Sequence, residues 1–417
     1  MERALIQNIL KIYGIGVCHA LQLIVPVFVP LLLGKGLSMA EILQTQAAFA
    51  LTVAVFEVPS GYLADVYGRK VSLCLSALLM LLSYACLYSA ETFVDFIVFE
   101  VVMGIALSLS SGSDMAMLFD SQLALQKLNK KFNLPASVGK LVALTSVAEG
   151  FAALTASIVF LSFEVAPAFE TLLSLQLLLG IPPLLLSLTL IEPPRSIGSG
   201  DHSDHARAIA TTLVYGDRIV LWSAISTISF GLVALLAFWT FQRYWELQSV
   251  PLEYFGFLWA LHCLIRGVSA HWASALERTA GGAQLMLATA AFTVVAFLGM
   301  AGLSGWAGVA CALLFPICRG LNSVLLYDAL NKRVDSAFRA TINSVLNLAI
   351  RAAFIVAGPI LGFAVDHFGM QASLLGLAAL SFPVLGASVF ALCRAIANNT
   401  KQAEALEHAE ASTVLEQ

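Results

Sequence analysis

The sequence predicts an all-α integral membrane protein with twelve transmembrane helices, arranged as two pseudo-symmetric six-helix bundles. Three observations carry that expectation. The 417 residues are 59% hydrophobic and 12% charged, against about 25% charged in a soluble chain, and the mean hydropathy is +0.87. That is more apolar surface than a soluble fold can hide, so the solvent is lipid. Windows of about 20 apolar residues, the length that crosses a bilayer core, recur twelve times. The two halves of the chain also repeat at an offset of about 208 residues, since Gly112–Asp120 (GSDMAMLFD) matches Gly320–Asp328 (GLNSVLLYD).

Six windows lie near 12–33, 39–61, 71–90, 94–120, 137–162 and 168–191, and six more near 217–242, 252–273, 283–303, 306–329, 341–364 and 371–394. Ile12–Leu33 is long enough to span and lacks a small-residue cleavage site, so no signal peptide is expected. The expected domains are an N-terminal bundle over 1–191, a polar central loop over 192–215, a C-terminal bundle over 216–396 and a polar tail over 397–417. With both termini in the cytoplasm, 17 of the 22 Lys and Arg residues fall on that side. These include Lys127, Lys130, Lys131, Arg195 and Arg207. Lys35 and Arg243 fall outside, while Arg266, Arg319 and Arg351 fall within spans. This asymmetry predicts cytoplasmic termini in a multi-pass membrane protein.

Between the second and third spans stands Gly61–Lys70, GYLADVYGRK. This turn, the repeat and the long central loop together resemble the major facilitator superfamily of membrane transporters, over essentially the whole chain. The resemblance implies that Gly61, Asp65, Gly68 and Arg69 form a cytoplasmic latch, with Asp120 at the end of the fourth span as partner. The physical chemistry agrees with that role. Glycines permit close backbone approach, Asp65 is suited to a helix N-terminus, and Arg69 can bind a carboxylate bidentately. The bland alternative is that Arg69 and Lys70 only mark topology.

An ionisable group at span depth costs at least about 2.5–3.5 kcal/mol on insertion scales, so each is a functional candidate. Glu57 and Glu149 lie in the first half, Arg266 and Arg351 at repeat-related places in the second. In the family fold this implies two cross-half pairs, Glu57 with Arg351 and Glu149 with Arg266. They either couple protons to gating or merely dock the halves. Asp114 is a further buried carboxylate, whose counterpart in the repeat is neutral Asn322. His19 and Gln22, His262 and Arg266, and Asn343 and Asn347 are polar pairs at helical spacing. With Arg319 and Asn322 they are expected to line the substrate cavity. Trp222, Trp239, Phe241, Tyr244, Trp245 and Trp259 are read as interfacial belt or as pocket wall.

The sequence has no Gly-x-x-x-x-Gly-Lys-Ser/Thr loop, no HExxH and no metal spacing among its seven cysteines. No enzyme activity, cofactor, metal or nucleic-acid partner is expected. The expected partners are a small-molecule substrate, protons and the lipid bilayer, and the chain is expected to act as a monomer. The leading reading is proton-coupled efflux of a small amphipathic compound, because Glu57–Gly61 and the fourth span resemble bacterial multidrug-type members. Those antiporters carry a proline–glycine motif in the fifth helix, whereas Leu141–Phe160 has Gly150 and no proline. The second reading is proton symport importing a polar or anionic metabolite such as a siderophore, suited by the three membrane arginines. The third is a transporter-like sensor that moves nothing.

Overall fold

The structure, a computed structural model, describes residues 2–128, 134–193, 217–334 and 338–415. Lys130, Lys131, Arg195, Arg207 and most of the expected central loop lie outside the described residues. In order the helices are α1 (Glu2–Ala20), α2 (Phe28–Gly34), α3 (Met39–Tyr67), α4 (Arg69–Ser89), α5 (Phe93–Ser110) and α6 (Ser113–Gln126). Then come α7 (Leu134–Ser162), α8 (Val165–Leu179), α9 (Ile181–Leu188), α10 (Arg218–Leu247), α11 (Phe255–Ala280) and α12 (Gly282–Gly302). The chain closes with α13 (Gly305–Ala312), α14 (Leu314–Asn331) and α15 (Arg339–Leu415).

Among the described residues, ten segments are long and apolar enough to cross a membrane. Four of them are broken helices that pair α1 with α2, α5 with α6, α8 with α9, and α13 with α14. The last runs for 59 residues and holds two spans, because Gly369 breaks α15 with φ 81°. The remaining span is α11, 26 residues long, which carries His262, Arg266, His271, Glu277 and Arg278. The sum is the expected twelve. The helices overrun the apolar windows: α3 continues to Tyr67, six residues past the window, and stops where Gly68 takes φ 116°. The polar tail continues α15 as helix through Leu415.

The packing is that of a protein in lipid. Many large apolar side chains point outward, with Val58 80%, Phe151 64% and Phe382 70% exposed, while polar ones such as Asn8, Ser72, Ser76 and Gln176 are buried. Helices associate through close backbone approach and interhelical hydrogen bonds. Ser72 and Ser76 on α4 each donate to an α5 carbonyl, Leu109 O and Ala106 O, at 2.7 Å. Gly104 on α5 admits Thr52 of α3 so closely that a Cβ there would stand 2.9 Å from the Thr52 Cβ.

The chain divides into two compact units. One comprises Met1–Gly198, Trp239–Leu264 and Arg351–Met370; the other comprises Ser199–Phe238, Ile265–Ile350 and Gln371–Gln417. In the first unit, a core of Leu5, Ile9, Ile12, Met117, Leu118 and Leu141 joins α1, α6 and α7. In the second, Val220, Ala224, Leu330, Ile342 and Leu346 join α10, α14 and the start of α15.

Gly104→Leu is expected to destabilise the protein by about 1–3 kcal/mol through overpacking against Thr52. A lowered thermal midpoint in detergent, with Gly61→Leu as an unpacked control, checks this.

Candidate functional site

The first span is broken, and the break organises the first unit. Pro26 and Pro30 lack amide hydrogens, and the backbone leaves the helix between Ala20 and Phe28. At membrane depth such backbone survives only where protein satisfies it. Two glutamines do so. Gln176 on α8 accepts from Leu23 N at 2.7 Å and donates to Leu21 O at 3.3 Å. Gln242 on α10 accepts from Val29 N at 2.9 Å and donates to Val25 O at 2.8 Å. His19 and Gln22 lie at this break: Gln22 Nε2 donates to His19 O at 3.2 Å, and His19 Nε2 is buried with no hydrogen-bond partner among the described residues. Discontinuous spans of this kind recur at substrate sites of transporters.

The aromatic residues of α10 and α11 pack beside the break. Trp245 and Tyr244 are buried inside the protein and not set in an interfacial belt. Phe28 meets Trp239 edge-on at 6.2 Å, and His262 sits 5.0 Å from the Phe241 ring, with Nδ1 3.1 Å from Leu258 O.

At Gly61–Lys70, Gly68 turns the chain, and Arg69 donates through Nη1 to Asp65 at 2.8 Å. Arg69 Nε lies 3.9 Å from Asp120 Oδ2, an ion-pair distance. The expected bidentate contact with Asp120 is not formed, because the guanidinium is held by its own turn. The carboxylate at the α4 N-terminus is Glu192, which accepts from Arg69 N at 3.0 Å and Lys70 N at 2.8 Å. The sequence alone places Glu192 in the central loop and gives it no role. Among the described residues nothing lies within 4 Å of where a Gly61 Cβ would be.

Glu57 acts electrostatically on Arg351, but the two form no direct ion pair. Arg351 instead lies over the Phe49 ring, 5.9 Å from its centroid. Glu149 lies on α7 and Arg266 on α11. Asp114 opens α6 after the break at Gly112 (φ 77°), and its Oδ1 accepts from Met115 N at 2.6 Å.

The buried carboxylate that sequence reasoning misses is Glu100 on α5. It is 4% exposed and accepts a hydrogen bond from Gln46 of α3. Its signal is a lone acid in an apolar run, the same signal that singles out Glu57.

In the second unit, Asn322, Asn343 and Asn347 come together. With Thr227, Ser323 and Tyr327 they line a cavity of about 250 Å³. Asn322 accepts from Thr289 Oγ1 at 3.1 Å, while its buried Nδ2 has no partner among the described residues. Asn343 donates to Asn331 Oδ1 at 3.3 Å and to Arg339 O at 2.9 Å. Arg319 lies on the same helix as Asn322.

The sequence profile of the Major Facilitator Superfamily matches residues 14–359, and the chain belongs to that family. It is a multi-pass membrane transporter and not an enzyme, with the family's fold of two six-helix bundles. No curated protein matches the sequence. Among solved structures it is similar to a point-mutant form of the nucleoside transporter NupG, with TM-score 0.73, 12% identity, and coverage of 94% of this chain and 99% of that one. It is also similar to a D-xylose-proton symporter, with TM-score 0.69, 13% identity, and coverage of 94% and 97%.

Gln176→Leu leaves Leu23 N without its acceptor and is expected to cost about 1–3 kcal/mol, read as a lowered unfolding midpoint in detergent. Gln176→Glu keeps the acceptor and is expected to lose less.

Proposed function

We propose that this chain is a proton-coupled symporter for a small, uncharged, hydrogen-bonding solute, working by alternating access. The observation that carries the reading is the carboxamide cavity. Asn322, Asn343 and Asn347 offer both donors and acceptors there, and the Asn322 amide lacks a partner of its own among the described residues. A buried unmet donor is costly to leave empty and strongly prefers a ligand with a matching acceptor. The similar structures carry nucleoside and xylose in their names, and both are neutral solutes rich in hydroxyl groups.

In this reading the substrate contacts are Asn322, Asn343 and Asn347, joined by His19, Gln22, His262 and Arg319 along the pathway. Three glutamates are the coupling candidates. Glu57 lies in the field of Arg351, and Glu149 has Arg266 as the partner that the family fold implies. Glu100 is the third, a buried acid whose hydrogen-bond partner is the neutral Gln46. An ionised carboxylate in such a place is expensive unless compensated, which suits a site that takes up and releases a proton. The Gly61–Arg69 turn with Asp120 acts as the cytoplasmic latch, and Asp114 tunes the same end. The distribution of Lys and Arg supports cytoplasmic termini, and the resemblance to bacterial multidrug-type members supports a bacterial inner membrane, with bundles over 1–191 and 216–396 acting together as a monomer.

Proton-coupled export of an amphipathic compound is the second reading. It is favoured by the buried aromatic cluster of Phe241, Tyr244 and Trp245, with half-buried Trp259 edge-on to Trp245.

The test uses liposomes with a trapped pH dye, to which neutral nucleosides and sugars or amphipathic cations are added in turn. Symport predicts that a neutral solute drives protons inward with it. Glu100→Gln and Glu57→Gln are expected to abolish the proton signal, while Asn322→Leu weakens apparent affinity roughly 2- to 10-fold. Substrate movement with flat pH in every variant removes proton coupling. A signal with the cations alone selects export.

A further inference from the structure

The chain carries a second copy of the Gly-x-x-x-Asp-x-x-Gly pattern, far from the first. Gly61-Tyr-Leu-Ala-Asp65-Val-Tyr-Gly68 closes α3, and Gly362-Phe-Ala-Val-Asp366-His-Phe-Gly369 closes the first span of α15. Both final glycines take positive φ, 116° at Gly68 and 81° at Gly369, so both motifs end a membrane helix in a turn that side chains disfavour. α3 is 29 residues long, about 43 Å. Its two ends therefore lie at opposite faces of the membrane: Gly61–Gly68 at one face and Met39 at the other.

Gly362 and Asp366 sit on the Met39 end. The Asp366 carboxylate accepts from Met39 N at 3.1 Å through Oδ1 and from Ala40 N at 2.7 Å through Oδ2. The local sequence already caps part of this terminus. Ser38 Oγ accepts from Glu41 N at 3.2 Å, and Glu41 accepts from Ser38 N at 2.8 Å. Ile42 N donates within the helix, to Ser38 O at 3.0 Å. The donors that the capping box leaves open are the amides of Met39 and Ala40, and Asp366 takes both. Gly362 makes the approach possible. A Cβ there would stand 2.6 Å from Met39 O and from Ala40 Cα, and this is backbone that cannot move aside. The two motifs thus stand in opposite conditions: Gly362 is pressed on a helix terminus, whereas around Gly61 there is open space among the described residues.

We propose that Gly362, Asp366 and Gly369 form a second latch at the membrane face opposite Gly61–Lys70. It holds that face closed by seating a carboxylate on the α3 N-terminus, and it competes with the first latch across the transport cycle. The charge belongs to one six-helix half and the helix terminus to the other. Engagement therefore joins the halves at that face, and release is required for it to open. The latch does not depend on which solute the protein carries.

Hydrogen–deuterium exchange of the full chain in nanodiscs tests this without substrate, because the proposed contact protects two amides directly. The peptides to follow cover residues 36–44 and 60–72. For Asp366→Asn, nearly isosteric, the expected result is roughly 5- to 30-fold faster exchange in 36–44 together with slower exchange in 60–72, as the population moves to the state closed at the other face. Gly362→Ala is expected to act in the same direction, and Asp366→Glu to restore part of the protection. If Asp366→Asn proves unstable, as judged by gel filtration, Gly362→Ala carries the same reading. Faster exchange confined to 36–44, with 60–72 unchanged in both variants, reduces Asp366 to a local helix cap and overturns the latch. Unchanged exchange in both peptides also overturns it.

Discussion

Inside a bilayer no water waits to satisfy a broken backbone, and much of this architecture follows from how the chain meets that demand. The first span interrupts its helix between Ala20 and Phe28, and loose amides and carbonyls there are taken up by two side-chain amides, Gln176 and Gln242. A glutamine serves because one side chain carries both a donor and an acceptor, so it closes one N–H and one C=O together. The irregular segment is therefore fixed in place while still presenting His19 and Gln22 beside it. The same logic recurs at helix starts that neighbour a turn. Glu192 covers the amides opening α4, and Asp366 covers those opening α3. Carboxylates and carboxamides from distant parts of the sequence perform at these points what water performs in a soluble protein.

That pattern explains what the sequence discloses and what it withholds. Composition and window length disclose the twelve spans, because the bilayer imposes a length and a polarity on every one of them. The Gly61–Lys70 turn stands out as a polar interruption between two apolar runs, and its glycine and arginine behave locally as their chemistry dictates. Asn322, Asn343 and Asn347 are legible as polar residues at helical spacing, and they meet in one cavity. Gln176, Gln242, Glu100 and Glu192 are not legible in the same way. Each is a single polar residue in an apolar or loop context, and its meaning lies in a partner more than 50 positions away. Glu57 and Arg351 show a subtler limit. The family resemblance places them on facing helices, but it does not fix which side chains meet, and Arg351 lies over the Phe49 ring. α11 is less apolar than the other spans, because His262, Arg266 and His271 interrupt its window, and it is legible as a span from its length of 26 residues and its place in the series of windows.

Membership of the major facilitator superfamily fixes the transporter class, and the polar inventory of this chain gives that class its particular form. The carboxamide cavity lies within the second unit, and the broken span with its aromatic wall lies largely within the first. The two are chemically unlike. One offers neutral hydrogen bonds, and the other offers rings and a buried imidazole. Each of the two substrate readings therefore draws its support from a different unit, the hydroxylated solute from the carboxamides and the amphipathic one from the rings.

The paired hydrogen bonds of Gln242 have a kinetic meaning. Gln242 belongs to α10, in the second half of the sequence, and its partners Val25 and Val29 belong to the first span. Any opening that separates them breaks two buried hydrogen bonds at once, before water has entered to replace them. Once the cavity is wet, both backbone groups and the amide are solvated again, and most of the loss is recovered. The pair therefore weighs on the height of the barrier between states more than on their relative populations. In the proposed alternating-access cycle, the side chain that repairs a broken helix would also act as a timer, setting how long the protein dwells before it turns over.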